Sequence, residues 1–231
     1  MFCNAKSRSL YVQQSSKFLN RSEIIDFVRS LEASEYKSDY DFEKHQLLFS
    51  KEAIDLKIRL PITLNVKAGS IDPEYNVKYL MLLVQTGSSS IGVFEGENCL
   101  EHKVLSAYMV RKKQGKSQLK HLKTKGKSRA GSRVRLAKTM IFFEQINERI
   151  TRHLKENDFD RIAFSCSKIL MPHLFNSKVP TPFDRKDERI YKIPKHLHQP
   201  NYEVMLGMQR FLNKAEVIGN ENVLQSLKLT D

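Results

Sequence analysis

The apolar positions of this chain change their spacing several times, and each change marks an element. Ile24, Phe27, Val28 and Leu31 recur at helical spacing, so Ser22–Leu31 is expected to form a short amphipathic helix with Ser22 as its N-cap. From Ile54 to Leu64 apolar and polar residues nearly alternate, as in a strand, and Pro61 marks an edge or a break there. Tyr79–Val84 is a continuous apolar run between polar turns, the pattern of a strand buried on both faces. Gly87–Ser90 reads as a turn, Ile91–Phe94 as a strand, Glu95–Asn98 as a second turn and Leu100–Val110 as a third strand. Three strands joined by tight turns predict an antiparallel meander.

The pattern then stops. Between Arg111 and Arg133 the only large apolar residues are Leu119 and Leu122, too few to bury, so this stretch is expected to protrude as a loop. Order is expected to resume at Ser132, a possible N-cap. Leu136, Met140, Phe143, Ile146, Ile150 and Leu154 then lie on one helical face, and Asn157 and Asp158 end the helix. Ile162–Ser165 is a second buried strand, and Ser167–Phe175 a short helix interrupted by Pro172. Four of the seven prolines fall between Pro180 and Pro200, which predicts an extended or looped stretch, and Tyr202–Leu212 closes the pattern as a helix. Strands and helices mix, with a strand–helix–strand unit after the meander. The expected fold is α/β: a mixed sheet with an antiparallel meander, flanked by helices, with a protruding basic loop. At 231 residues one large domain or two small ones would fit. With no repeat and no linker visible, a single domain over residues 1–231 is expected.

Composition adds a core and removes several classes. Apolar residues make up 40% of the chain, enough for a packed interior rather than a disordered basic tail. The longest apolar run, Tyr79–Val84, is far short of the roughly 20 residues that span a bilayer. Met1–Ser16 is polar and lacks the apolar centre of a secretory signal, which points to the cytoplasm. Cys3, Cys99 and Cys166 are odd in number and widely spaced, which fits reduced thiols rather than a disulfide framework or paired zinc ligands.

Charge changes the picture most. The formal net charge is +13, and from His102 to Phe143 there is no Asp or Glu. That window holds 13 Lys and Arg, while the 26 basic residues outside it are matched by 26 acidic ones. The whole excess therefore sits in one stretch of an otherwise neutral chain, and ten of the thirteen lie in the expected loop, Arg111–Arg133. Like charges at this density repel unless a polyanion neutralises them, so a nucleic-acid phosphate backbone is the expected partner. A membrane surface fits less well, because the stretch lacks the Trp, Phe and Leu face that inserts into lipid.

Two segments, Gly115-Lys116-Ser117 and Gly126-Lys127-Ser128, carry the ending of a nucleotide-binding P-loop. The leading Gly that the motif requires is replaced by Val110 and His121, so triphosphate binding is set aside. Gly115-x-x-Gln118 follows the last strand of the meander. A Gln side chain donates and accepts hydrogen bonds at once and can hold a water or hydroxyl against an electrophile, while a nearby Gly lets backbone approach a crowded centre. His121 could shuttle a proton or simply add to the charge. His196 and His198 could share one side of a strand, but two imidazoles are half a metal site, and neither metal nor cofactor is expected.

Arg111-Lys112-Lys113-Gln114-Gly115-Lys116-Ser117-Gln118, with Ala130-Gly131-Ser132 and the basic helix start after it, resembles the Vms-like release-factor family. The resemblance is clearest over Tyr79–Leu154. It implies a fold similar to the central domain of eukaryotic and archaeal release factors, whose Gly-Gly-Gln loop enters the peptidyl transferase centre. It implies a factor, expected to be a monomer, that frees nascent chains from peptidyl-tRNA on stalled large ribosomal subunits. The tRNA would be cut near its CCA end or the peptidyl ester hydrolysed. Gln118, Gly115 and Arg111 match the family's catalytic Gln, leading Gly and strand-end basic residue. Lys112, Lys113, Lys116, Lys120, Lys123, Lys125, Lys127, Arg129 and Arg133 would contact ribosomal RNA and tRNA. Lys116 stands where members often have the second Gly of Gly-Gly-Ser-Gln. The alternatives are a non-catalytic factor occupying the tRNA site and a nuclease acting on free tRNA.

Overall fold

A computed structural model describes residues 14–34, 36–51, 54–67, 69–107 and 127–226. The strands are β1 (Gln14–Leu19), β2 (Lys37–Asp41), β3 (Gln46–Lys51), β4 (Ile54–Arg59), β5 (Asn65–Lys67), β6 (Ser70–Asp72), β7 (Lys78–Gln85), β8 (Ser88–Glu95), β9 (Asn98–Ser106), β10 (Arg161–Cys166), β11 (Ile190–Lys192) and β12 (Ala215–Asn220). The helices are α1 (Arg21–Glu32), α2 (Lys127–Glu156), α3 (Met171–Phe175), α4 (Tyr202–Leu212) and α5 (Glu221–Ser226). No domain boundary is legible in the sequence, yet the described residues gather into two compact units. One draws on residues 1–62, 66–73 and 213–231, the other on 63–65 and 74–212.

The first unit is built on an antiparallel sheet in the order β1-β12-β4-β3-β2. Its first and last strands pair from Gln14↔Asn220 to Leu19↔Ala215, so the unit is closed by a strand some two hundred residues away in the chain. The expected helix is present as α1, and it buries Ile24, Val28 and Leu31. Its N-cap is Asn20 rather than Ser22: the Asn20 side chain accepts from the Glu23 amide while the Glu23 carboxylate accepts from the Asn20 amide. That reciprocal pair satisfies two backbone donors, which a Ser22 cap could not do with the residues that follow it. Strand β4 stops at Arg59, before Pro61, whose missing N–H cannot serve a central ladder.

The second unit holds the mixed sheet that the sequence predicts, in the order β11-β10-β7-β8-β9. β7, β8 and β9 form the antiparallel meander, while β10 runs parallel to both β7 and β11. β7 is central, and its six inner residues are buried, as the unbroken apolar run Tyr79–Val84 requires. Its two faces serve two cores. Leu80, Leu82 and Val84 join Phe142, Phe143, Ile146 and Ile150 of α2 and Leu174 of α3. On the other face Tyr79 stacks on Phe94 with ring centroids 5.1 Å apart. Gly92 of β8 lies where a Cβ would come within 2.8 Å of the Met205 sulfur and 2.6 Å of the Phe94 ring. A bare backbone at this position is what lets α4 seat on the strand.

Several boundaries differ from expectation. Ser88–Ser90 belong to β8 and the turn is Thr86–Gly87: the three serines are small enough to be buried within the sheet. β9 runs from Asn98 to Ser106, short of the expected Val110, and residues 108–110 lie outside the described residues. Pro172 starts α3 instead of interrupting a helix, since its missing N–H is no loss in a first turn. His196 and His198 sit in the irregular stretch before Pro200 and not on a strand. Their rings meet edge-to-face at 5.4 Å.

Candidate functional site

Strand β9 and helix α2 stand at the two ends of the basic stretch. Arg111, Lys112, Lys113, Gly115, Lys116, Gln118, Lys120, Lys123 and Lys125 all fall in 108–126, outside the described residues. So does His121. Lys127, Arg129 and Arg133 are helical. They occupy the first two turns of α2, which begins five residues before the expected start at Ser132. Of the expected loop of 111–133, residues 127–133 are therefore helix, and Ser132 is interior to it. Lys, Arg and Ala are good helix formers, and the single Gly131 costs only about 1 kcal/mol.

At 30 residues α2 is about 45 Å long. Its apolar face was expected to bury from Leu136 onward. Leu136 is instead 60% exposed and Met140 and Ile141 are also exposed, so burial begins at Phe142. No acid occurs in α2 before Glu144, and five Lys and Arg precede it. Cations at a helix N-terminus oppose the macrodipole, which places its positive end there. That cost falls ahead of Phe142, where burial begins.

The packed half of α2 is tied to β9 by charge. Glu101, the last acid before the acid-free window, accepts from the Arg149 guanidinium and, at 3.4 Å, from Arg152. Its other carboxylate oxygen is 3.6 Å from Nδ1 of the buried His153. Arg149 Nε donates to His153 Nε2 at 3.1 Å, which requires that nitrogen to be unprotonated. Burial holds the imidazole below its ordinary value of 6.5, against an upward pull from Glu101. The unfolded chain therefore takes up the proton first as pH falls. Stability from this group is complete above about pH 6.5 and lost below it. The urea midpoint is expected to fall between pH 7 and 5.5, and to fall less in His153→Gln.

A second tie is neutral. Asn147, buried on α2, donates to the Leu174 and Val179 carbonyls at 2.9 and 2.8 Å. In the sequence Arg152 reads as an i,i+4 partner of Glu148, whereas in the structure it reaches Glu101, whose place at the border of the acid-free window is the one visible signal of this tie. Among the described residues no group of three or more His, Cys, Asp or Glu side chains could hold a metal. Among them, too, no helix is long and apolar enough to cross a membrane.

Residues 79–220 match the Bacteroidetes VLRF1 release factor family. The chain belongs to that family. The match takes in the whole meander, the basic stretch and α2, and runs on through α4 to β12, well past Leu154 where the visible resemblance ends. The protein is thus a ribosome-associated release factor of the Vms-like kind. Among solved structures, the Vms1 mitochondrial localization core is similar at 14% identity and a TM-score of 0.40, over 90% of this chain and 82% of that one. No curated protein sequence matches this VLRF1 family member.

Proposed function

We propose that this release factor frees nascent chains from peptidyl-tRNA on stalled large ribosomal subunits, with Gln118 as the residue that positions the attacking group. The observation that carries the reading is an acid-free stretch that runs from β9 into the cationic first half of α2, in a chain of a release-factor family. A neutral body would present that stretch to ribosomal RNA, as a monomer among cytoplasmic ribosomes.

Two reactions fit. In ester hydrolysis Gln118 holds a water against the peptidyl carbonyl carbon. The bond to the tRNA 3′-oxygen breaks, that oxygen takes a proton, and peptide and intact tRNA separate. In strand cleavage Gln118 holds a ribose 2′-OH in line with the adjacent phosphorus, the 5′-oxygen leaves with a proton, and a cyclic phosphate remains. Arg111 and the neighbouring lysines stabilise the charge that builds up in either case. Sequencing the 3′ end of the released tRNA separates the two: an intact CCA end means hydrolysis, and a truncated one means cleavage. Lys116 in place of Gly favours the second reading, a non-catalytic occupant of the tRNA site, for which neither product forms.

Binding to large subunits is expected to weaken steeply with salt. Each phosphate contact to single-stranded RNA adds about 0.7 to the slope of log affinity against log salt. Six contacts would give a slope near −4, measured by co-sedimentation from 50 to 300 mM salt. A flat response would remove RNA from the reading altogether.

A further inference from the structure

β9 is the outer strand of its sheet, and among the described residues no strand pairs with its free edge. Edge strands of this length are usually blunted by charge or covered. The inner-facing side of β9 is accounted for: Glu101 meets α2, and Leu105 packs on the core beneath that helix. The opposite side is open. His102 pairs with Gly92 in the register, and Val104 with Ser90. Where the register shifts opposite Val93 and Phe94, Leu100 has no partner and is 53% exposed.

On this side α4 approaches β8 closely because Gly92 leaves room for Met205. One turn earlier on the same helix, Tyr202 reaches past β8 and lies on the His102 ring. The centroids are 4.1 Å apart and the planes within 26°. Both residues are exposed, Tyr202 at 40%. Two parallel rings, held at base-stacking distance and open to solvent, thus stand on the free edge of the strand that leads into the basic stretch. His102 is also the first residue of the acid-free window, with Lys103 next to it, and the carboxylate of Glu101 is engaged by two arginines. By strand alternation Lys103 lies on the Glu101 side, and Glu203 is exposed next to Tyr202, so the ring pair itself offers π faces rather than charge.

We infer that Tyr202 and His102 form a stacking platform for an unpaired RNA base, with Leu100 and Val104 flanking it as apolar contacts. A base adds a third ring to the pair, and in the sequence β9 leads directly into the acid-free stretch that carries the cations a phosphate backbone needs. Aromatic stacking of this kind is tolerant of base identity. Apolar positions on an open strand could also receive a protein strand, but an exposed pair of stacked rings suits a base better, and the acid-free sequence that follows β9 suits a polyanion. This inference rests on the proposed RNA-facing role and adds to it a place where RNA is held by rings rather than by charge.

The test uses the full chain and a fluorescein-labelled 12-nucleotide single-stranded RNA, read by anisotropy at several salt concentrations. Tyr202→Ala is expected to weaken binding about 5- to 150-fold. The slope of log affinity against log salt should stay unchanged, because no phosphate contact is lost. Tyr202→Phe should bind as the wild type does, since it keeps the ring, and His102→Ala should weaken binding as Tyr202→Ala does, as a check on folding of the latter. Wild-type affinity in both alanine variants would overturn the platform. So would a loss confined to the large subunit with oligonucleotide binding intact, which would assign the edge to a ribosomal protein. Failure of the release-factor reading looks different: no peptide release by the wild type, whatever Tyr202 does to RNA affinity.

Discussion

Replacing Gln118 with alanine is expected to reduce peptide release from stalled large subunits by at least about 100-fold, with subunit affinity within twofold of the wild type. The split follows from how the two properties are distributed along the chain. On the proposed reading affinity would be spread over the thirteen cations of the acid-free window, five of them in α2, so no one neutral side chain would contribute much. Turnover depends on holding one nucleophile in line with one electrophilic atom, which only a group that donates and accepts together can do. A single-round assay with purified subunits bearing peptidyl-tRNA measures both. Release at the wild-type rate in Gln118→Ala would end the catalytic assignment, while loss of binding along with release would make Gln118 an anchor instead. The isosteric Gln118→Glu is expected to fail as well, because a carboxylate offers no donor and brings a negative charge to a site of developing negative charge.

The second large effect is on the body that holds this stretch. Asn147→Ala is expected to destabilise the fold by about 2–4 kcal/mol, since it removes two hydrogen bonds to carbonyls in the interior and leaves a void. The Leu174 carbonyl keeps a donor in Thr181, whereas among the described residues the donor to the Val179 carbonyl is Asn147. For a chain of this size the melting temperature should fall by roughly 5–15 °C. Calorimetry of the variant checks the value, and an unchanged melting temperature would mean that water replaces the amide. Release should decline near the new transition and not below it, because the tie holds the packed half of α2 to the Leu174 and Val179 carbonyls.

Much of this protein is determined by residues close together in the chain. The six apolar residues of Tyr79–Val84 can be satisfied only between two cores, and they form the central strand of the mixed sheet. Phe143, Ile146 and Ile150 lie on one helical face and bury as a group. The cluster of charge, the absence of acids around it and the Gln118 match are statements about the sequence and need no coordinates.

Other features depend on which segments meet, which local periodicity does not encode. Ala215–Asn220 becomes a strand through its partners Gln14–Leu19 on one side and Arg59–Lys57 on the other, and no local signal announces so distant a pairing. The apolar stripe of α2 begins at Leu136 in the sequence, but the core beneath it ends at Phe142, so the same spacing yields buried residues in one half and exposed ones in the other. Gly92 looks like any strand glycine until Met205 is seen above it. The ring of Tyr202 looks like the start of a helix until it is found on His102. Hydrophobic spacing sets what each segment can become. The partners available within van der Waals reach decide which side chains are covered, and so which remain open at the edge that leads toward Gln118.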